Sequence, residues 1–206
     1  MSFSIELAAT LSGASVGQLR RWRATDLLRP EIHDARPAVY SFRDVVALRS
    51  FVRLRNDVSL QRIRKALGNL PNIEDLTEHP GSYTFGTDGA TIAVLTEDGP
   101  VDLVKNPGQS IVATLADVFE PFTTTQGRQV PDFLRPRRHL SIDARRAGGL
   151  PTISGTRLPY ENVAALVRTG EVPHDQVERF YPGVTPDAVE DAVEFDLSVR
   201  SQLRTA

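Results

Sequence analysis

An α+β fold, mainly helical, is predicted by three observations on the 206-residue chain. Apolar residues recur at helical spacing over the first 70 residues and again after residue 158. Between these blocks, residues 83–104 hold three short strand-like runs separated by glycine-containing turns. Charge changes sign along the chain, and with the patterning it divides the sequence into units at residues 1–70, 71–134 and 135–206.

In the first unit, Ile5, Leu7, Ala8 and Leu11 have helical spacing, and Ser12-Gly13-Ala14 breaks the pattern. Ser15 is a good N-cap for a second helix running to about residue 24. A helix, a tight small-residue turn and another helix make a helix-turn-helix. Val16, Leu19 and Trp22 share one face of the second helix, while Gln18, Arg20, Arg21 and Arg23 cover the rest. Leu27, Leu28, Pro30 and Ile32 lead into a polar bend at 33–37, and Ala38, Val39, Tyr40 and Phe42 return, which reads as a two-stranded wing. Ser41 with Asp44 forms a capping box for a helix to residue 55, with an apolar stripe of Val45, Val46, Leu48, Phe51, Val52 and Leu54. Ser59 caps one more helix, and Pro71 ends it.

The middle unit reads as a small acidic α/β segment. Strands are expected at 83–85, 92–95 and 101–104, a helix at 110–119, and a Thr/Gln/Pro/Arg-rich linker at 121–137. The last unit reads as three helices in a helix-turn-helix-like arrangement. The first carries Val163, Leu166 and Val167 and stops at Gly170; Val177 and Phe180 mark a short one; Thr185-Pro186 opens the last.

Residues 1–70 carry 12 Lys/Arg against 6 Asp/Glu, residues 71–134 carry 2 against 10, and residues 150–206 carry 5 against 9. A basic head on an acidic body points to a polyanion at the head alone. Arg20, Arg21 and Arg23 lie where a recognition helix faces phosphates and guanine edges. Ser15 and Gln18 at the helix start, with Arg36 and Tyr40 from the wing, complete the candidate DNA-contact set. The chain has no cysteine, which excludes disulfides, thiolate metal sites and cysteine nucleophiles. His33, His79, His139 and His174 are not at metal-ligand spacing, and there is no phosphate-binding glycine loop, so no catalytic residue, metal or cofactor is assigned. The N-terminus is not a signal peptide, and no apolar run approaches the ~20 residues of a bilayer span, so a cytoplasmic protein without membrane contact is expected. The stripe at Val45, Leu48, Phe51 and Val52 and the extra C-terminal helices exceed what such small modules bury alone, so a homodimer is expected.

Residues 5–70 resemble the winged-helix head of MerR-type regulators. The resemblance is carried by Leu19-Arg20-Arg21-Trp22, Leu27-Leu28-Arg29-Pro30, Tyr40-Ser41-Phe42-Arg43-Asp44 and the stretch from Leu54 through Leu67. Asp26 replaces the family's usual glycine after the recognition helix, and Asp tolerates a left-handed turn. Ala38 stands where the family's wing usually carries an arginine, with Arg36 the nearest substitute. Residues 139–195 resemble a second family, domain of unknown function 433, through Gly148-Gly149-Leu150-Pro151-Thr152-Ile153-Ser154-Gly155-Thr156-Arg157, Gly170 and Tyr181-Pro182-Gly183-Val184-Thr185. That family is often encoded beside PIN-like ribonucleases, and joined to a MerR-like head it resembles the antitoxin of a VapBC-type pair. The resemblance implies binding to promoter DNA and to a ribonuclease toxin, with Arg157, Arg200 and Arg204 as toxin-contact candidates. Two alternatives stay open. Arg157 could cement its own domain, and the chain could be a free-standing MerR-like regulator whose middle senses a ligand.

Overall fold

The computed structural model describes residues 2–73, 76–111, 114–115, 117–170 and 172–202. The fold is α+β, with the helices at its two ends. Helix α1 (Ile5–Ser12) begins at Ser4, whose Oγ accepts the Leu7 N–H at 3.2 Å. It ends at Gly13, whose φ of 84° is left-handed. A Cβ at Gly13 would lie 2.5 Å from Val130 Cγ2, so glycine is needed there for space as well as conformation. Helix α2 (Val16–Ala24) follows after three residues, and Asp26 takes the expected left-handed conformation with φ 52°. Helix α3 (Phe42–Leu54) starts at the Ser41–Asp44 capping box, and α4 (Leu60–Asn69) at Ser59.

The wing is smaller than expected. One bridge between His33 and Val39 closes the bend. Strand β2 (Val39–Tyr40) otherwise pairs antiparallel with β1 (Phe3–Ser4), the chain's own beginning. The apolar stripe of α3 is covered from within: Val45, Leu48, Phe51 and Val52 are all buried in the same chain. They leave no dimer face, which removes that argument for a homodimer.

The middle forms an antiparallel sheet in the order β5-β4-β3-β6. Its strands are β3 (Phe85–Thr87), β4 (Ile92–Thr96), β5 (Gly99–Asp102) and β6 (Thr114–Leu115). Phe85, Ile92, Val94 and Val101 are buried in the common core, and Asn69 of α4 donates to the Leu103 carbonyl at 2.7 Å. Of the helix expected over 110–119, residues 112, 113 and 116 lie outside the described residues, and Thr114–Leu115 form a strand instead. Thr114 and Leu115 pair with Thr87 and Gly86, because the open edge of β3 offers their backbone a ladder. Acids of this unit hold turns: the buried Asp102 carboxylate accepts from the Thr91 hydroxyl and the Val104, Lys105 and Asn106 N–H groups. Burial pushes its pKa up, and those hydrogen bonds outweigh it, holding the carboxyl below its ordinary range.

Residues 121–137 are no linker. Strands β7 (Phe122–Thr123) and β8 (Gln129–Val130) form a hairpin strapped across the head. Asn56 donates to the Thr123 carbonyl at 2.9 Å, and the Arg128 guanidinium donates to the Ala14 and Ala9 carbonyls at 3.2 and 3.4 Å. Phe133 is fully buried, edge-on to Phe42 at 5.3 Å. At the centre lies Arg49 of α3, 0% exposed. It donates to the carbonyls of Leu11 (2.6 Å), Glu120 and Pro131 (2.7 Å each), Phe119 (3.3 Å) and Val118. Its guanidinium also lies over the Phe122 and Phe133 rings. No acid is ion-paired with it among the described residues. Burial lowers its pKa to about 10, which leaves it charged at neutral pH.

The last unit pairs β9 (Leu140–Ser141) with β10 (Thr152–Ile153) and continues into α5 (Tyr160–Arg168). A short 3₁₀ segment, His174–Arg179, precedes α6 (Pro186–Ser201). Thr185 caps α6 with Pro186 in its first turn, and Gly170 after α5 is left-handed with φ 75°, both as expected. Helix α6 packs on α5, with Tyr160 edge-on to Phe195 at 4.8 Å, and also on α1 of the head. No helix among the described residues is long and apolar enough to cross a membrane.

Candidate nucleic-acid interface

Helix α2 is held from its start. The Ser15 Oγ accepts the Gln18 N–H at 3.1 Å, and the Gln18 Oε1 accepts the Ser15 N–H at 2.7 Å. Val16, Leu19 and Trp22 are buried, and Trp22 meets Phe51 edge-on at 6.4 Å. That packing turns Gly17, Arg20, Arg21 and Ala24 to solvent. The side chains of Arg20 and Arg21 make no hydrogen bond or ion pair among the described residues, so both forks are open to phosphates or base edges. The far end of α2 receives Arg64 from α4, which donates to the Thr25 carbonyl at 2.8 Å and to the Thr25 Oγ1. A cation there complements the helix dipole.

The remaining predicted contacts are placed differently. Arg23 is half-buried; it pairs with Asp34 at 3.3 Å and donates to the Ala35 carbonyl at 3.1 Å, clamping the bend to α2. Arg29 reinforces this through Asp26 and Asp34. Arg36 stands exposed on the bend without a partner among the described residues. The Ser15 Oγ and the Gln18 Oε1 both accept in the capping box, which leaves the Ser15 hydroxyl proton and the Gln18 amide nitrogen as donors. Tyr40 is a correction: it is 1% exposed and faces the core, because β2 pairs Tyr40 with the buried Phe3. Burial pushes its pKa up to about 12. It offers no surface to DNA.

Arg49, Arg64 and the Asp44–His79 pair were missed, since each acts through a partner remote in sequence. Glu31, Asp44 and His79 bring ligand-type atoms within 4.8 Å of one another. Hydrogen bonding accounts for the cluster. The His79 Nδ1 accepts the Gly81 N–H at 3.0 Å, so the ring proton sits on Nε2 and faces Asp44 Oδ1 at 3.1 Å. A metal ion would need that Nε2 lone pair. Glu31 is engaged by Ser41 and Arg43 at 2.6 and 2.7 Å. The group clamps residues 79–82 onto the start of α3.

In the C-terminal unit, Arg157 rides on a fixed turn. The Ile153 N–H donates to the Leu158 carbonyl at 2.9 Å, the Thr156 N–H to the Ile153 carbonyl at 3.0 Å, and the Leu158 N–H to the Thr156 Oγ1 at 3.0 Å. Gly155 supplies the positive φ, 79°, at the bend. Arg157 is exposed and makes no hydrogen bond or ion pair among the described residues, so it does not cement its own domain. Arg200 differs, since Asp196 holds it at 2.5 Å, with Arg168 sharing that carboxylate at 3.8 Å. Arg204 lies outside the described residues.

Residues 3–70 match the family model of the MerR HTH family regulatory proteins, and residues 140–195 match that of a protein of unknown function, DUF433. The chain thus carries a MerR-type helix-turn-helix, a DNA-binding and regulatory class of domain, ahead of a DUF433 domain. Its fold is similar to the X-ray crystal structure of Rv2018 from Mycobacterium tuberculosis, at 18% identity and a TM-score of 0.51. That likeness covers 93% of this chain and 96% of the other. A search of curated proteins gave no match.

Replacing Arg20 and Arg21 together by alanine is expected to weaken promoter binding and to flatten its salt dependence by about one unit of slope per lost phosphate contact. Gel-shift titrations across a salt series read this. An unchanged slope would take both arginines off the phosphates.

Proposed function

We propose that this protein is an autoregulatory antitoxin. Its α2 reads the promoter of its own operon, as a homodimer on paired half-sites, and its C-terminal domain neutralises a PIN-like ribonuclease. On DNA, Arg20, Arg21 and Arg36 meet phosphates or guanine edges, and Gln18 contributes its amide nitrogen. Arg23 holds the bend in place beside them.

The observation that carries the toxin-binding half is Arg157, an exposed side chain without a partner among the described residues, on a hydrogen-bonded turn. A planar fork held this way suits the clustered carboxylates of a Mg²⁺-dependent ribonuclease. Arg200, already neutralised by Asp196, is the weaker contact. The test is inhibition, by the purified full chain, of any PIN-like ribonuclease encoded next to this gene. Arg157→Ala should cost ~2–5 kcal/mol of binding, mostly through faster dissociation. Its melting temperature should stay that of the parent, because Arg157 makes no hydrogen bond or ion pair among the described residues. A folded full chain that neither binds nor inhibits that nuclease ends the antitoxin reading.

One observation favours a second reading, a free-standing ligand-sensing regulator. A cleft of about 350 Å³ bounded by Ser50, Arg53, Tyr83, Phe85 and Phe119 lies between α3 and the central sheet. A molecule there would touch the DNA-binding unit directly.

A further inference from the structure

The solvent stripe of α2 has a neighbour on each flank. In helical projection Gly17, Arg20, Arg21 and Ala24 share the exposed face, with Arg23 at one edge of it and Gln18 at the other. The Arg23 edge is bordered by the bend at 33–37, through Asp34 and the Ala35 carbonyl. The Gln18 edge is bordered by the turn of the β7–β8 hairpin, where Gln18, Trp22, Arg55, Thr124, Thr125 and Gln126 surround one hollow of about 40 Å³. That space is far below the ~300–1,000 Å³ of small-molecule sites, so it marks the helix and the turn as neighbours.

The turn is fixed in this place. Arg128 donates to the Ala14 and Ala9 carbonyls at the junction of α1 and α2, and Asn56 donates to the Thr123 carbonyl. The Gly127 N–H closes the turn on the Thr124 carbonyl at 2.8 Å. Thr125, Gln126 and Gly127 are exposed, and the N–H groups of Thr125 and Gln126 make no hydrogen bond among the described residues. Charge sets the turn apart from the rest of its unit. Residues 71–134 carry ten acids, yet none falls within 121–131, and the nearest, Glu120 and Asp132, stand at the opposite end of the hairpin. Threonine and glutamine side chains with free backbone N–H groups are the donors that commonly hold phosphates.

A major groove is ~12 Å wide, and a helix with its side chains measures ~10–12 Å across. A helix seated there fills the width, so phosphates run along both of its flanks. We propose that the β7–β8 turn is a second wing, in which Thr125 and Gln126 meet the DNA phosphate backbone along the Gln18 edge of α2, on the side opposite the bend. Arg55, whose side chain has no ion pair among the described residues, adds positive charge beside them. Such contacts supply affinity and fix the register of α2 without reading sequence. The proposal rests on α2 being the DNA-recognition helix.

Gel-shift titrations of the full chain across a salt series, on the duplex lying upstream of this gene, test it. Gln126→Lys should bind more tightly at low salt and steepen the salt dependence by about 0.9 unit of slope, as one added phosphate contact does. Thr125→Glu combined with Gln126→Glu should weaken binding by about tenfold or more, through like charges against the backbone. Asn162→Glu combined with Ala165→Glu, both exposed on α5, is the control of equal net charge and should match the parent. Thermal melting checks that each variant folds, and a steeper slope in Gln126→Lys cannot arise from lost structure. If the parent binds while both turn variants keep its affinity and slope, the second wing is overturned and the reading of α2 stands. A control as weak as the acidic turn variant would reduce the effect to net charge and overturn the contact equally. A parent that binds no DNA at low salt would overturn the reading of α2 and this proposal together.

Discussion

Arg49→Ala is expected to destabilise the protein by about 3–5 kcal/mol, the cost of stripping one shared donor from five carbonyls at once. The loss arises from what stays behind. The buried Leu11 carbonyl is left without a donor, at a desolvation penalty of ~1–3 kcal/mol, and the part-buried carbonyls of Glu120 and Pro131 lose theirs as well. Arg49→Met restores volume but supplies no donor, so it should recover little. Arg53→Ala is the control: Arg53 is half-buried on the same helix and donates to the Asp117 carbonyl at 2.8 Å. It should cost about 1 kcal/mol or less. Urea unfolding of the three variants reads the difference. An Arg49→Ala cost no larger than that of Arg53→Ala would mean that water satisfies the carbonyls and something else holds the strap.

A fragment of residues 1–72 is expected to show no cooperative thermal transition, although the sequence sets those residues apart as a basic unit. Cutting there removes four of the five carbonyls that hold Arg49, the Phe133 ring against Phe42 and the Arg128 bonds to Ala9 and Ala14. A fragment of residues 1–134 restores all of these and should regain a cooperative transition, with promoter binding. Circular dichroism melts of the two decide it. If the shorter fragment melts cooperatively near the parent's temperature, the head is self-sufficient and the strap is ornamental.

Much of the head was legible because its signals are local. Ser15, Ser41, Ser59 and Thr185 each start the helix their side chain can cap, and Asp26 takes the left-handed turn its resemblance required. The β-rich stretches were legible only where strands are long enough to alternate, as at Ile92–Thr96. Residues 110–119 have apolar spacing that a helix could use, and only the unpaired edge of β3 decides otherwise. The hairpin at 121–137 was hidden by composition, since two-residue strands have no period and prolines read as linker. The candidate site divides along the same line. The exposure of Arg20 and Arg21 follows from helical spacing against Leu19 and Trp22. The burial of Tyr40 and the capture of Arg23 by Asp34 depend on how the bend closes, which spacing alone does not determine.

A ribosome delivers Arg49 well before it delivers the carbonyls that hold it. The bonds to Val118 and Pro131 span 69 and 82 residues, roughly 3–16 s of synthesis at ~5–20 residues per second. Throughout that interval the newborn head keeps a hydrated guanidinium where its interior should be. The DNA-reading surface matures only when the strap emerges. A polypeptide released before residue 131 lacks carbonyls that hold Arg49, whereas one released after it already has them all.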